Sequence, residues 1–479
     1  MTNIYNPFNT GSPATPELFF GRNDIIQDIY LFLENPSQNT FFINGQRRMG
    51  KTSLLRKLQY LITKKGFTPI YYDLQNKAED TLHEVLLDLM QTINIELDNS
   101  FDINPDKVDN AIKYFETVFL NGILSKKIKI VILFDEFDVL GDKKTILKDN
   151  KTKNLAYVRF VPHLHDLICK NLPIKFIFAI GRSIDDLADY YGPIKKFAQV
   201  RKLSFFSYEE SKGLINKLTK EKIIYPEQTI QKVHKITNGY PFFLQCLCSF
   251  LFDKAIEKNE NVIRLDDVNK YLIPTMKKYS GGLNWFWEAF RPEEKVYIFV
   301  IAKLIEDNTA ATEQSIIDKC KNYEIQTSSP EYIKVLDKLI RTGVIKKNKS
   351  YYITVPIIQI WIAKEHTVER IKSEALKVDK VAQDYFNIGK VLFEEQNYEE
   401  AIEPLKNVLK RVPDNFEAQF YLAHALNNCS KDQDEDLIIS EFEKAYAMNN
   451  NFVKDSYVAK LRECYEKNQK KNIYKKLQR

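Results

Sequence analysis

Two clusters in this chain combine residue types and spacing that can do chemistry. The first is Gly45-Gln46-Arg47-Arg48-Met49-Gly50-Lys51-Thr52, which fits the spacing G-x-x-x-x-G-K-[ST]. A short apolar run, 39–44, precedes it, and Leu54, Leu55, Leu58, Leu61 and Ile62 share one helical face behind it. Glycines at these places let successive backbone N–H groups curl around phosphate oxygens at a helix N-terminus. Lys51 then supplies a cation for the β- and γ-phosphates, and the Thr52 hydroxyl a ligand for Mg²⁺. The second cluster, Asp135-Glu136, follows the apolar run 128–134 (IKIVILF). An acidic pair at the carboxyl end of a buried strand lies where an open α/β sheet places its ligand. Asp135 suits the Mg²⁺ shell and Glu136 the polarisation of an attacking water. Asp138 is read as a solvated neighbour without an assigned role. A third residue, Arg182, follows the run 174–180 (IKFIFAI). If that run lies beside the strand before Gly45, Arg182 or Ser183 points at the γ-phosphate; a surface-loop arginine is the alternative.

These residues need a scaffold that brings three strand ends together. From 22 to 205 the sequence alternates apolar runs with amphipathic stretches: 69–74, 81–97 and 107–124 join those already named, and 200–203 is a shorter run. The pattern predicts a doubly wound parallel α/β sheet. The expected domains are a P-loop ATPase core at 1–207 and a helical lid at 208–282, with helices at 208–221, 226–237, 241–257 and 265–278. At 283–370, three helices and a hairpin follow, the third helix punctuated by Ser329, Pro330 and Gly343. This is a winged-helix pattern. At 371–466, Tyr385, Ile388, Gly389, Leu392, Ala401, Leu405, Val408 and Pro413 fit the tetratricopeptide spacing, with a degenerate second copy around Leu422, Ala423, Leu426, Phe442 and Ala445 and a capping helix at 452–466.

Bulk composition excludes several classes. The chain has 70 basic and 64 acidic residues, a net charge of +6. The tail 467–479 carries six of the basic residues and no acid, so the body is neutral and gives no support for a broad nucleic-acid surface. No apolar run is long enough to span a membrane, and residues 1–12 lack the order of a secretory signal, so a cytoplasmic protein is expected. The six cysteines form no C-x-x-C; Cys246 and Cys248 are read as packing residues of an apolar helix.

The motifs together resemble the additional-strand P-loop ATPases related to AAA+ proteins, and more narrowly the STAND class of signal-transduction ATPases. Phe19-Phe20-Gly21-Arg22-Asn23-Asp24 resembles the motif that borders adenine in that class, with Asp24 where Glu is more usual. Asn238-Gly239-Tyr240-Pro241 resembles the G-x-P motif that starts a lid helix over the nucleotide. The resemblance implies ATP/ADP and Mg²⁺ as cofactors. The nucleotide set it carries over is Phe20, Gly21, Arg22, Gly45, Gly50, Lys51, Thr52, Ser53, Gly239 and Pro241. It also implies a switch that hydrolyses ATP slowly, binds a protein partner through the repeats and assembles with its own copies in the ATP state, with signalling or anti-phage defence in bacteria as the setting. An origin-recognition-like ATPase that binds DNA through its winged helix is the alternative. It is the less favoured one, because the third helix mixes Glu331 and Asp337 with Lys334, Lys338 and Arg341. The basic hairpin tip at Lys346, Lys347 and Lys349 also suits an ordinary solvated turn. A passive adaptor that ATP merely stabilises is the third option; Glu136 argues against it. Arg201 or Lys196 is a candidate arginine-finger-type contact to a neighbouring copy, with surface charge equally open.

Overall fold

A computed structural model describes residues 5–77, 79–104, 108–141, 156–170, 172–181, 194, 198–219, 223–325, 327, 332, 334–376, 380–412, 415–429 and 435–448. The chain divides into two compact units, Met1–Thr275 and Met276–Arg479. The expected core and lid segments thus share the first unit up to Thr275.

In the first unit the apolar runs become five parallel strands: β1 (Thr40–Asn44), β2 (Thr68–Asp73), β3 (Ile130–Asp135), β4 (Ile174–Ile180) and β5 (Ala198–Lys202). Their order is β2-β3-β4-β1-β5. Position in the sheet dictates composition. β3 is buried at every residue, whereas the edge strand β5, with sequence AQVRK, has no buried residue. As expected, β4 pairs with β1, from Thr40 opposite Phe176 to Asn44 opposite Ile180, and it separates β1 from β3.

Phe42, Phe178 and Phe134 stand in register across β1, β4 and β3. Their rings stack at centroid distances of 4.9 and 5.2 Å, and Phe137 closes on Phe178 at 4.4 Å. Offset aromatic stacking of fully buried rings fixes neighbouring strands against sliding. The ladder lies directly below the strand ends that lead to Gly45, Glu136 and Gly181. Because the strands are parallel, those three segments leave the sheet at one edge.

Helices α1 (Asn23–Glu34), α2 (Lys51–Thr63), α3 (Leu82–Glu96) and α4 (Ala156–Cys169) accompany the sheet. The stretch expected as one helix at 107–124 is interrupted by a π turn at Phe115–Phe119. Lys175 of β4 donates to the carbonyls of Phe32, Asn35 and Gln38 at 3.1, 2.8 and 2.5 Å. It thereby satisfies carbonyls at the C-terminal end of α1, where a cation is favoured. Four more helices follow: α5 (Tyr208–Thr219), α6 (Glu227–Thr237), α7 (Pro241–Glu257) and α8 (Leu265–Lys278). α7 is apolar on nearly every face and largely buried, with Cys246 and Cys248 packed inside.

The second unit contains α9 (Ser280–Glu288), α10 (Pro292–Glu306), α11 (Glu313–Asn322) and α12 (Val335–Arg341). A two-stranded antiparallel hairpin, β6 (Ile345–Lys347) and β7 (Tyr351–Ile353), follows them. Next come α13 (Pro356–Glu365) and α14 (Val368–Leu376). Gly343 takes φ +76° after α12, as its predicted stop requires; Ser329 and Pro330 lie outside the described residues. α10 packs against α11, α12, β7, α13 and α14 and is buried along most of its length. Its two buried charged residues are paired: Glu294 with Lys338 at 2.6 Å, and Lys295 with Glu288 at 2.8 Å and Glu374 at 3.5 Å.

The segment expected as a repeat forms α15 (Lys380–Glu394), α16 (Tyr398–Arg411), α17 (Phe416–Asn428) and α18 (Glu435–Met448), each packed on the next. A Cβ on Gly389 would come within 2.8 Å of Leu405, so the small residue lets α15 and α16 approach closely. Ile388 is half exposed, although it lies at a repeat-spaced position on α15. Pro413, the helix expected at 452–466 and the basic tail lie outside the described residues. Among the described residues no helix is long and apolar enough to cross a membrane.

Candidate nucleotide site

The loop after β1 is shaped by two left-handed residues, Arg48 at φ +58° and Gly50 at φ +88°. A Cβ added to Gly50 would meet nothing within 4 Å, and α2 starts at Lys51 without a side-chain cap. Open space before the unbonded N–H groups of a first helical turn is the arrangement that accepts a phosphate. Lys51 is buried, and its ammonium donates to the carbonyls of Gly45 at 3.0 Å and Gln46 at 3.3 Å. Burial pushes its pKa down, while Glu136, Asp138 and Asp135 act in the opposite direction. Thr52 is half-buried in the same first turn.

At the end of β3, Asp135 is almost fully buried with both oxygens held. Oδ1 accepts the Glu136 N–H at 3.0 Å and Oδ2 accepts the Tyr71 hydroxyl at 2.9 Å. Glu136 adopts φ +50°, a strained conformation for a non-glycine residue. Its Oε2 is buried without a hydrogen-bond partner. Burial raises its pKa, and Lys51 is the largest influence holding it down. Asp138 corrects the sequence reading. It is 2% exposed, not solvated, and its Oδ1 accepts the Gly181 N–H at 2.9 Å. The short 3₁₀ turn at Phe137–Gly141 swings it back toward β4, whereas an α-helical continuation would have turned it outward. Sequence reasoning missed this role because the turn type carries no signal in a stretch beginning Phe137-Asp138-Val139. Arg182, Ser183 and Lys196 lie outside the described residues, and Arg201 is paired with Asp28 at 2.7 Å.

A cavity of about 50 Å³ opens beside the loop, and Phe20, Arg22, Gly50, Ser53 and Pro241 all line it. Five sequence-predicted residues thus converge from three segments. Gly21, at φ +75°, turns the chain so that Arg22 points inward. The Arg22 guanidinium donates to the carbonyls of Ser204 at 2.5 Å and Met49 at 3.3 Å and lies 4.6 Å from the Phe206 ring. Arg22 therefore braces the loop from behind. Gly239, at φ +69°, is required sterically, since a Cβ there would fall 2.0 Å from the Phe206 carbonyl oxygen. The next residue, Tyr240, donates its hydroxyl to the Arg47 carbonyl at 2.5 Å, and Arg48 stacks on Phe242 at 4.1 Å. The start of α7 is thus tied to the loop at two consecutive residues.

The N-terminal lead-in has a positioning part that its irregular sequence conceals. Asn6 bonds Ser249 and Asp253, the Asn9 N–H donates to Gln245, and the Ala14 N–H donates to Ser53 Oγ at 2.9 Å. The segment crosses from α7 to α2 along the cavity. Phe8 of this segment packs against Tyr225 and Phe252.

Among the described residues no group of three or more His, Cys, Asp or Glu is arranged to hold a metal by itself. One carboxylate and one hydroxyl beside a phosphate cradle fit Mg²⁺, which keeps most of its shell as water and phosphate oxygen. The donor set of Asp135 and Thr52 therefore suits a nucleotide-borne Mg²⁺.

Residues 19–247 match the family model of an ATPase domain found predominantly in Archaea. A comparison with curated proteins found no match. Among solved structures, the Walker-type ATPase PABY2304 of Pyrococcus abyssi is 19% identical with a TM-score of 0.54; the likeness covers 74% of this chain and 99% of that one. The ORC2 protein of Aeropyrum pernix, in ADPNP–ADP complexes, is 12% identical with a TM-score of 0.52 over 78% of this chain and 97% of that one. At these identities the likenesses show the fold. Together with the family match over 19–247, they agree with the motifs on an ATP-binding P-loop ATPase domain.

Proposed function

We propose that the chain is a nucleotide-controlled switch of the STAND type. It binds ATP with Mg²⁺, hydrolyses it slowly, and couples the bound state to partner recognition and assembly. The observation that carries this reading is the pair of ties from the start of α7 to the phosphate loop, Tyr240 to the Arg47 carbonyl and Phe242 to Arg48. A nucleotide that re-aims the loop peptides must strain or reinforce those ties, so its differential contacts become a difference in lid stability.

In the hydrolytic step Lys51 exchanges its loop carbonyls for the β- and γ-phosphates. Glu136, whose carboxylate Lys51 favours against the effect of burial, orients and polarises the attacking water through its unpartnered oxygen. Thr52 and Asp135 would hold the Mg²⁺, which would neutralise phosphate charge when bound. Asp138 fixes the Gly181 N–H at the end of β4. The repeat supplies the surface for a protein partner, and assembly of copies belongs to the ATP state. A bacterial signalling or anti-phage role extends the family resemblance to this chain. The DNA-binding alternative loses two of its cations, since Lys338 is engaged by Glu294 and Lys347 by Glu313 at 2.9 Å.

The decisive measurement is the nucleotide that co-purifies with the full chain, released by denaturation and quantified against protein, with Lys51→Ala as the blank. The expected outcome is near-stoichiometric ADP in the wild type and none in the variant. An empty wild-type site whose turnover rises on adding DNA overturns the switch.

A further inference from the structure

Tyr71 lies on β2, and its strand neighbour β3 carries Asp135. The Tyr71 hydroxyl donates to Asp135 Oδ2 at 2.9 Å, while the backbone N–H of Glu136 holds Oδ1 at 3.0 Å. The two oxygens of one carboxylate are thus fixed by separate donors, one unavoidable and one supplied by a side chain. Each oxygen keeps a second lone pair for the metal or its water. The Tyr71 ring is itself clamped. Arg56 of α2, one helical turn beyond Thr52, lies over it with the guanidinium carbon 3.6 Å from the ring centroid. One chain of contacts therefore runs from the helix that carries Thr52, through Arg56 and Tyr71, to Asp135.

We propose that Tyr71 is a positioning residue that orients the Asp135 carboxylate for the nucleotide's Mg²⁺, with Arg56 holding its ring. The inference rests on the nucleotide-site reading above. Without the hydroxyl, Asp135 keeps only its backbone restraint and its plane is free to turn. Partners that orient a metal-binding group in this way typically change metal affinity by about 10- to 100-fold. The phosphates share the ion here, so the effect belongs at the lower end, about 10-fold.

The test follows retention of a fluorescent ADP analogue by the full chain as Mg²⁺ is titrated, in the wild type, Tyr71→Phe, Asp135→Asn and the double variant. The expected result is a Mg²⁺ midpoint about 10-fold higher in Tyr71→Phe, with affinity in excess EDTA unchanged. No further shift is expected when Tyr71→Phe is added to Asp135→Asn. A general packing defect would instead weaken binding in EDTA and persist in the Asp135→Asn background, and that pattern overturns the proposal. Wild-type binding with an unmoved Tyr71→Phe midpoint overturns this inference alone. Absence of analogue binding by the wild type overturns the parent reading and this inference with it.

Discussion

Glu136 in the first unit is half-buried and His366 in the second is buried; both carry buried polar atoms that lack hydrogen-bond partners, and burial shifts the pKa of each toward its neutral form. Their surroundings differ. Glu136 ends a strand at an open cradle, with a buried ammonium as its strongest favourable influence. His366 is stacked on Trp287 at 4.0 Å and meets Trp361 edge-on at 4.8 Å. Arg370 and Lys295 push its pKa the same way as burial does, and only Glu288 opposes them. One group has a buried ammonium opposing the effect of burial; the other is pushed toward neutrality by everything but a single carboxylate. Burial alone therefore does not mark a reactive site. A counter-charge and an opening to a ligand must coincide with it.

The largest expected effect tests the first half of that contrast. Glu136→Gln keeps shape and burial but removes the charge. Steady-state phosphate release should fall by about 10²- to 10⁴-fold while bound nucleotide stays near the wild-type level. Hydrolysis within a few-fold of wild type would place Glu136 beside His366 as a passive buried group, and the distinction would collapse.

The second half is tested by pH. Burial lowers the His366 pKa from an ordinary 6.5 to about 4. Below pH 6.5 the unfolded chain binds a proton that the folded unit refuses until about pH 4. Stability from this residue is therefore complete above 6.5 and lost as pH falls across that window. The loss should reach about 2 kcal/mol by pH 5. All three tryptophans, Trp285, Trp287 and Trp361, lie in the second unit, so their fluorescence in urea titrations reports that unit selectively. His366→Phe should flatten the profile between pH 7 and 5. An unchanged slope would move the acid sensitivity to another group.

The two regions were also unequally legible. The phosphate loop, the acidic pair and the strand between them could be read because each combines a spacing with an apolar run, and a parallel sheet forces such strand ends to one edge. Asp138 could not, since its burial follows from a 3₁₀ turn. Tyr71 reads as an ordinary strand tyrosine until strand order places β2 against β3. In the second unit the helices and hairpin were visible from periodicity and Gly343. The His366 cluster was not: its stacking partner Trp287 lies far from it along the chain, and nothing local signals their meeting. The half-exposed Ile388 shows the same limit, since a repeat spacing fixes a place on a helix and the neighbours fix burial.

The smallest expected effect bears on whether the nucleotide site communicates at all. Tyr240 is 2% exposed and its hydroxyl donates to the Arg47 carbonyl at 2.5 Å, so Tyr240→Phe removes one bond and almost no packing. The loss should be about 1 kcal/mol, because a single neutral hydrogen bond contributes on that scale. Its location gives it diagnostic weight. If loop and lid are coupled, ADP should slow amide exchange in α7 of the wild type, and Tyr240→Phe should shrink that protection while leaving hydrolysis nearly intact. The stack of Arg48 on Phe242 remains, so part of the protection should survive. Full protection in the variant would show that the lid feels the nucleotide by another route. No ADP-dependent protection even in the wild type would make the lid as indifferent to the site as the His366 cage is to its imidazole, a sealed wall where the switch requires a moving part.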